Sequence, residues 1–474
     1  LNQLAFEPDA LSHCECTGER RVRTELESPA CDSTLTVEEA AAKTWDVAVI
    51  GAGPTGALAA RQLSLLGLRT LLVDRSSFPR EKVCGGCISG LGRRLLESVG
   101  LAELLGSSHA APLGRFDLAA GARRVSFNLP AGAAVSRLSF DAALVRHAVQ
   151  AGGAFVSGTT TLVRGLAAGC RLRRIVLQQD DRRLVAQSRM VIVADGLGRT
   201  SLKQHRAFAP RVAATSRIGL GATLPGTAAE IDSGSVLMSV AHDGYVGLVR
   251  VPGDAINLAA AVDPNRVREH GPAETVRQIF IQAGVKPPTG LEAVDWRGTG
   301  LLTRHSRRTA ASRLLVLGDA AGYVEPFTGE GMTWGMLSAV LAAPLVADWL
   351  GRDAAQSVDC LAADCLPADR LGGRRECRRL AHDWSAVVRS QIAPRQRDCR
   401  MLAGLLRNPA AVRAAMALIA AAPAIVRPLI GHFWNAGKGI DLQGSFTIQS
   451  SMERTRHNSS RPREVASRTS RESV

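Results

Sequence analysis

Gly51, Gly53 and Gly56 stand in the run Gly-Ala-Gly-Pro-Thr-Gly, with Pro54 inside it, and Asp74 follows 23 residues after Gly51. These residue types at this spacing suit a dinucleotide. Gly51 permits a tight turn, Gly53 lets a pyrophosphate approach the backbone, and Gly56 lets a helix pack closely on a strand. The helix N-terminus then turns free N–H groups and its positive dipole end towards the phosphates. Asp74, with Arg75 beside it, stands where a carboxylate would bind a ribose hydroxyl. The elements that must position these residues are legible too. Trp45 to Ile50 is a short apolar, β-branched run that predicts a buried strand. Pro54 to Leu66 has helical apolar spacing that ends near Gly67, and Arg69 to Val73 reads as a second strand. Strand, glycine turn, helix and strand make a βαβ unit. By itself the unit does not separate NAD from FAD.

Two further segments follow predicted buried strands. Met190 to Ala194 leads into Asp195-Gly196-Leu-Gly-Arg199, and Leu314 to Leu317 leads into Gly318-Asp319-Ala-Ala-Gly322. The second continues through Pro326, Gly329, Gly331 and Met332 into a predicted helix ending near Leu350. Between the first and second motifs lies Phe78-Pro-Arg80-Glu-Lys82-Val-Cys84-Gly-Gly-Cys87, and Arg137 precedes Phe140-Asp141.

With these motifs in this order, the chain resembles the FAD-dependent oxidoreductases that include geranylgeranyl reductases, aromatic hydroxylases (FAD-binding monooxygenases) and flavin halogenases. The resemblance covers roughly residues 45–350. It implies FAD as cofactor. Asp319 would accept hydrogen bonds from the ribityl chain, and Asp195-Gly196 would lie near the pyrophosphate and ribose. The backbone of Gly329 to Met332, beside Pro326, would face the N1–C2=O edge of the flavin. Negative charge gathers on that edge on reduction, so the positive end of a helix favours it. Cys84 and Arg137 match positions of the reductase branch and join the cofactor-binding set.

The resemblance leaves the reaction open between branches. The strand Tyr245 to Pro252 lacks the Trp and Phe of the Tyr-x-Trp-x-Phe-Pro motif usual in geranylgeranyl reductases. The halogenase motif Trp-x-Trp-x-Ile-Pro is absent, and Gly322 stands where hydroxylases often carry His. The expected activity is that of an NAD(P)H-using monooxygenase on a lipophilic or phenolic, polyketide-like substrate, the nicotinamide docking only transiently. Reduction of an isoprenoid or enone double bond is the alternative. Catalytic candidates are Cys84, Cys87 and Tyr245. A C-x-x-C pair can form a reactive disulfide, and two ordinary loop thiols are the competing reading. His242, Trp296, Arg304 and His305 could also line a pocket. No second C-x-x-C or H-x-x-x-H pair exists, so no metal site is expected. No G-x-S-x-G elbow supports hydrolase chemistry.

The expected fold class is α/β: a doubly wound, Rossmann-type FAD-binding domain, an antiparallel β-rich substrate domain and C-terminal helices. Residues 1–44 read as a flexible extension, 45–215 with 300–350 as the discontinuous FAD-binding domain, and 216–299 as the substrate domain. A helical region over 351–450 and a disordered basic tail over 451–474 complete the chain. The substrate domain is predicted from β-rich runs at Ile218 to Leu224, Ser235 to Val240, Tyr245 to Val251 and Ile256 to Val262, separated by turn signals.

The 474 residues are 46% hydrophobic and 21% charged, which excludes wholesale disorder. The net charge is +15, and Lys supplies only five of the 58 basic residues. Arg370 to Arg413 holds eleven Arg against Glu376, Asp383 and Asp398. This basic, partly amphipathic region is expected to allow peripheral contact with an anionic membrane, a solvated helical face being the competing reading. Aromatic residues are 4% and do not alternate with the Arg, so no nucleic-acid partner is expected. The first residues predict no signal peptide, and scattered cysteines fit a reduced cytoplasmic setting. The longest apolar run, Ala414 to Val426, has 13 residues, short of the roughly 20 that span a bilayer.

Overall fold

The computed structural model describes residues 31–166, 171–325, 327–362 and 369–434, with backbone alone over 354–362 and 369–377 and at Pro423 and Leu429. Pro326, residues 1–30 of the predicted extension and the predicted tail lie outside the described residues.

The Gly motif sits in a sheet whose central strands run Leu314–Val316, Arg182–Val193, Thr44–Ile50, Thr70–Val73 and Ala154–Val156, all parallel. Alternate residues serve opposite faces, as the pleat requires. Val47, Val49, Leu72, Met190, Ile192 and Leu315 enter one core with the helices Pro54–Leu65, Arg137–Gln150 and Gly331–Ala362. Ala48, Ile50, Leu71, Val73, Val191, Val193 and Val316 enter the other. There the cover is mostly β: Thr160–Val163 and Arg173–Gln179 pair antiparallel, the latter with the first half of Arg182–Val193.

The predicted extension is corrected over residues 31–44. Val37–Ala42 is a helix with a capping box: Thr36 Oγ1 accepts from Glu39 N–H while the Glu39 carboxylate accepts from Thr36 N–H. Val37 and Ala40 are buried in the second core. Thr36-x-x-Glu39 is the sequence signature of that capping box.

The second sheet has the order Arg297–Leu301, Ile218–Pro225, Ala255–Val262, Gly244–Val251, Ser235–Ala241, Ala111–Ala120, Arg123–Ala134, Cys87–Ile88. All its pairs are antiparallel except Ser235–Ala241 with Ala111–Ala120. It therefore takes in strands from 87–134, a stretch that sequence order had assigned to the nucleotide domain. The pairing of Cys87–Ile88 with Ala133 and Ala134 anchors the cysteine loop to this sheet. The helix Pro264–Gln282 buries Val276, Ile279 and Phe280 on one face. Helices Ala393–Leu405 and Pro409–Ala421 pack Leu406 and Met416 on the other. Among the described residues one straight helical stretch, Gly331–Asp353, is long and apolar enough to cross a membrane, and most of it is buried in the protein; Arg378–Leu405 and Pro409–Ala421 reach that length only together, across a 103° bend. The apolarity of Gly331–Asp353 is that of a core helix.

Candidate functional site

Three chain segments meet at the C-terminal ends of the parallel strands. Gly51 has φ +96°, and a Cβ there would stand 2.5 Å from the Ala194 carbonyl oxygen, so the glycine turn packs directly on the Asp195 turn. A Cβ on Gly56 would lie 1.7 Å from the Gly51 carbonyl oxygen, which leaves no residue but glycine. Beyond the turn, Thr55 Oγ1 lies 2.6 Å from a Cβ built on Gly318 and 2.3 Å from one built on Gly335. The dinucleotide helix, the Gly-Asp turn and the start of the long helix therefore converge on one threonine. By contrast, a Cβ on Gly53 would meet only the Arg80 guanidinium at 3.5 Å. Space remains there for a phosphate to approach the Pro54–Leu65 N-terminus.

Asp74 is buried at the end of its strand. Its Oδ2 accepts from Ala52 N–H at 2.6 Å and its Oδ1 from Ser76 N–H at 2.9 Å, so the carboxylate also fixes the glycine turn. Arg80 lies 3.9 Å from Asp74 and 3.4 Å from Asp141. Arg137 grips Asp141 with two hydrogen bonds of 2.8 and 2.7 Å. Asp141, fully buried, thus orders two cations beside the cofactor cradle, and its opposing charge raises the Arg137 pKa against the cost of burial. Arg75 is exposed beyond Asp74.

Asp319 is half-buried and accepts no hydrogen bond from a described residue. Burial raises its pKa, while the charges of Lys82, Arg137 and Arg304 pull it down. Three cations around a carboxylate with no donor of its own leave that carboxylate ready for external hydroxyl groups. Lys82 keeps exposed surface, yet the crowding around its ammonium and the Arg137 and Arg80 charges lower its pKa, with Asp319 and Asp141 opposing. Lys82 Nζ lies 3.0 Å from a Cβ built on Gly196. Asp195 itself turns inward: Oδ2 accepts from Ser201 N–H at 3.0 Å, and Oδ1 is buried without a partner. Arg199, in the left-handed region at φ 48°, donates to Ser306 Oγ and the Phe208 carbonyl.

The cysteine loop runs against this cradle. A Cβ on Gly329 would lie 3.4 Å from Cys87 Cβ, and one on Gly331 would lie 3.5 Å from the Tyr323 ring. Gly331 opens the long helix and Met332 is buried within its first turn. Cys84 and Cys87 are both free thiols; Cys84 keeps accessible surface and Cys87 is buried. Burial pushes the Cys87 thiol up to about 12, with Cys84 adding to the shift, and Cys87 Sγ donates to the Gly85 carbonyl. Asn257 Nδ2 donates to the Cys84 carbonyl at 2.8 Å and ties the loop to the second sheet.

Tyr245 is buried, with its hydroxyl unpartnered and its pKa pushed well above 10 by burial. Its ring meets Phe327 edge-on at 5.2 Å, and the Arg217 guanidinium lies over it at 5.6 Å. Arg217 and Arg407 both pair with the buried Glu325. Neither Glu325, one residue before Pro326, nor the two arginines stand out in the sequence, since 190 residues separate the cations. Arg304 joins the cradle beside Asp319 and donates to the Leu197 carbonyl at 2.9 Å. His242 and His305 are exposed, and Trp296 packs under the second sheet with Nε1 bonded to the Leu291 carbonyl. Sequence reasoning also missed Lys82, Arg80 and Glu330. Both Glu330 carboxylate oxygens are buried without a hydrogen-bond partner, and burial raises this acid to about 8. An open, basic groove of about 810 Å³, lined by Arg164, Arg174, Arg183 and His205, lies on the outer antiparallel strands, away from these motifs.

A model of the FAD binding domain family matches residues 44–367. The chain belongs to this family. Among curated relatives, conditioned medium factor receptor 1 of Dictyostelium discoideum is 24% identical over 63% of this chain and 62% of its own length. Menaquinone reductase of Mycobacterium tuberculosis is 26% identical over 67% of this chain and 80% of its own. Digeranylgeranylglycerophospholipid reductase of Methanoculleus marisnigri is 25% identical over 69% and 81%. The flavin-dependent brominase Bmp2 shares the fold with a TM-score of 0.63 at 14% identity, covering 88% of this chain and all of that one. The anhydrotetracycline hydroxylase OxyS from Streptomyces rimosus does so at 0.59 and 18%, covering 83% and 76%.

The protein is an FAD-dependent oxidoreductase. Its residues fit the cofactor: the open backbone at Gly53 for the pyrophosphate, the unpartnered Asp319 for the ribityl hydroxyls, and the Gly331 helix start for the flavin's anionic edge.

Proposed function

We propose that this FAD binding domain protein reduces a carbon–carbon double bond of a lipophilic, isoprenoid-like substrate, with NAD(P)H as the transient donor. The observation that carries this reading is Cys84. Among the described cysteines it alone keeps accessible surface, on the loop that closes over the start of the Gly331 helix. The sequence relatives named as menaquinone and digeranylgeranylglycerophospholipid reductases support the substrate class. FAD, when bound, supplies a two-electron hydride transfer. Addition to a double bond then needs one proton for the second carbon, and the Cys84 thiol holds it beside the cationic Arg137. Arg137 stays fixed by Asp141 beside this sulfur. Tyr245 is a wall residue in this reading, since its hydroxyl is sealed from substrate and held neutral. The apolar cluster of Phe116, Met238, Tyr245 and Phe327 keeps water away from the substrate side.

Hydroxylation is the second reading, favoured by the missing Trp and Phe on the Tyr245–Pro252 strand. The deciding experiment incubates the holoenzyme and NADPH with a menaquinone and with a phenolic polyketide, and weighs the products. Gain of two hydrogens in the isoprenoid side chain under argon, retained after the quinone ring is re-oxidised in air, supports the reductase, and Cys84→Ser should then lower turnover about a hundredfold as a lost general acid. Product carrying one added oxygen, formed only in air, would establish hydroxylation instead.

A further inference from the structure

The helix Pro409–Ala421 is apolar on two sides, and only one is used by the protein. Val412 and Met416 turn inward to the cluster that holds Tyr245 and Phe327. On the other side Ala410, Ala414, Leu418 and Ala421 form an exposed stripe at helical spacing, with Leu418 53% exposed. The preceding helix, Ala393–Leu405, does the same: Cys399 and Ala403 are buried, while Met401 is 70% exposed and Leu405 lies bare beside it. Ile425 continues the apolar surface on the next turn. The two helices meet at a bend of 103°.

The charges carried by this stretch of chain have one sign. Arg400, Arg413 and Arg427 are exposed among these residues, and no Asp or Glu occurs between Asp398 and Asp441. Asp398 is itself taken by His432 at 2.8 Å. The Arg413 carbonyl accepts from Arg123 of the second sheet, so the helix is docked with its apolar stripe outward. Thirteen residues are too few to span a bilayer but enough to lie in its interface.

We propose that this helical corner docks the enzyme on an anionic lipid surface, Met401, Leu405, Leu418 and Ile425 entering the acyl boundary while Arg400, Arg413 and Arg427 meet the headgroups. The charges select this occupant. A second copy facing the same patch would set arginine against arginine, which a self-complementary interface disfavours. An anionic lipid surface satisfies both the apolar stripe and its cationic rim. The inference does not depend on which reaction the flavin carries out.

The test is sedimentation of the full-length holoprotein with vesicles of phosphatidylcholine alone, or with one-third phosphatidylglycerol. Each arginine near an anionic surface contributes about fivefold, so the three predict binding tighter on the order of a hundredfold to the anionic vesicles, weakening with salt. Leu418→Glu should reduce binding at least about tenfold, and Met401→Glu, at a more exposed site on the other helix, should do likewise. Both variants should keep the flavin content and melting temperature of the parent, since each residue is exposed. Equal binding to both vesicle types, no binding at all, or unchanged binding by both variants would overturn the proposal. A parent dimer that Leu418→Glu splits into monomers would assign the face to a second copy instead, and the proposal would fall.

Discussion

The cofactor cradle and the Glu325 cluster beneath the C-terminal helices are built on opposite principles. In the cradle, backbone approaches backbone: Gly51 meets Ala194 and Gly56 meets Gly51 with no room for a Cβ. In the cluster, long side chains from distant segments converge, Arg217 from the second sheet and Arg407 from the end of a C-terminal helix on the buried Glu325. A backbone contact tolerates one residue type and leaves a motif. A side-chain contact can be made from many positions and leaves none.

That contrast can be broken from either side. Gly56→Val should have the largest effect. Its Cβ has no relaxation open to it short of separating helix from strand, and overpacking with a displaced backbone costs about 3 kcal/mol or more. The expected outcome is expression without bound flavin, read from the absorbance of the purified protein. Flavin bound at full occupancy would show that the turn is less constrained than the geometry demands.

Glu325→Ala should come next. It leaves Arg217, buried with its pKa already lowered by desolvation, without its carboxylate. Breaking a buried pair in this way costs about 3–5 kcal/mol. Flavin binding should survive in the folded fraction, because none of the cradle contacts runs through Glu325. Chemical denaturation with flavin fluorescence in parallel separates the two effects.

Glu330→Gln should have the smallest effect in mild acid, near pH 5, and the most specific pH dependence. The folded protein raises this acid from 4.5 to about 8, so it favours the protonated form, and Ser89, Arg94 and Arg395 face it. Stability from this group is complete below its unfolded pKa and is lost as pH rises towards 8, by up to about 1.4 kcal/mol per pH unit. The glutamine variant lacks that loss. Its stability advantage over the parent should therefore grow from pH 5 to 8, and parallel pH profiles would refute the buried-carboxyl account.

The long helix runs on from the expected Leu350 to Ala362 and the strand expected from Met190 begins at Arg182, but reading the sequence located the first two parallel strands and the meander over 218–262 to within a residue or two. It did so because buried strands are continuous apolar runs and their turns need glycine. It also named Asp74, Arg137 and Asp319, which the fold brings to one edge of the sheet. The functional surroundings were less legible. Lys82 and Arg80 sit in the quoted cysteine-loop motif, but nothing local shows that they face Asp319 and Asp141. Asp195-Gly196 was expected near the pyrophosphate and ribose; the Asp195 turn packs on the glycine turn, and its carboxylate accepts from Ser201 N–H, a bond nothing local in the sequence announces. The helix at Val37–Ala42 was missed because a polar stretch with one capping box looks like a tail until a sheet face is present to bury Val37 and Ala40.

By itself the sequence determined a dinucleotide site and the fold that holds it, because a pyrophosphate at a helix N-terminus requires bare backbone, and only glycine supplies it; FAD in particular came from the resemblance carried by three motifs in order. The tertiary structure alone decided which cations surround Asp319, that Cys84 is open while Cys87 is sealed, and that one helix shows apolar surface on both sides. Those properties depend on burial, and burial is set by segments far apart in the chain.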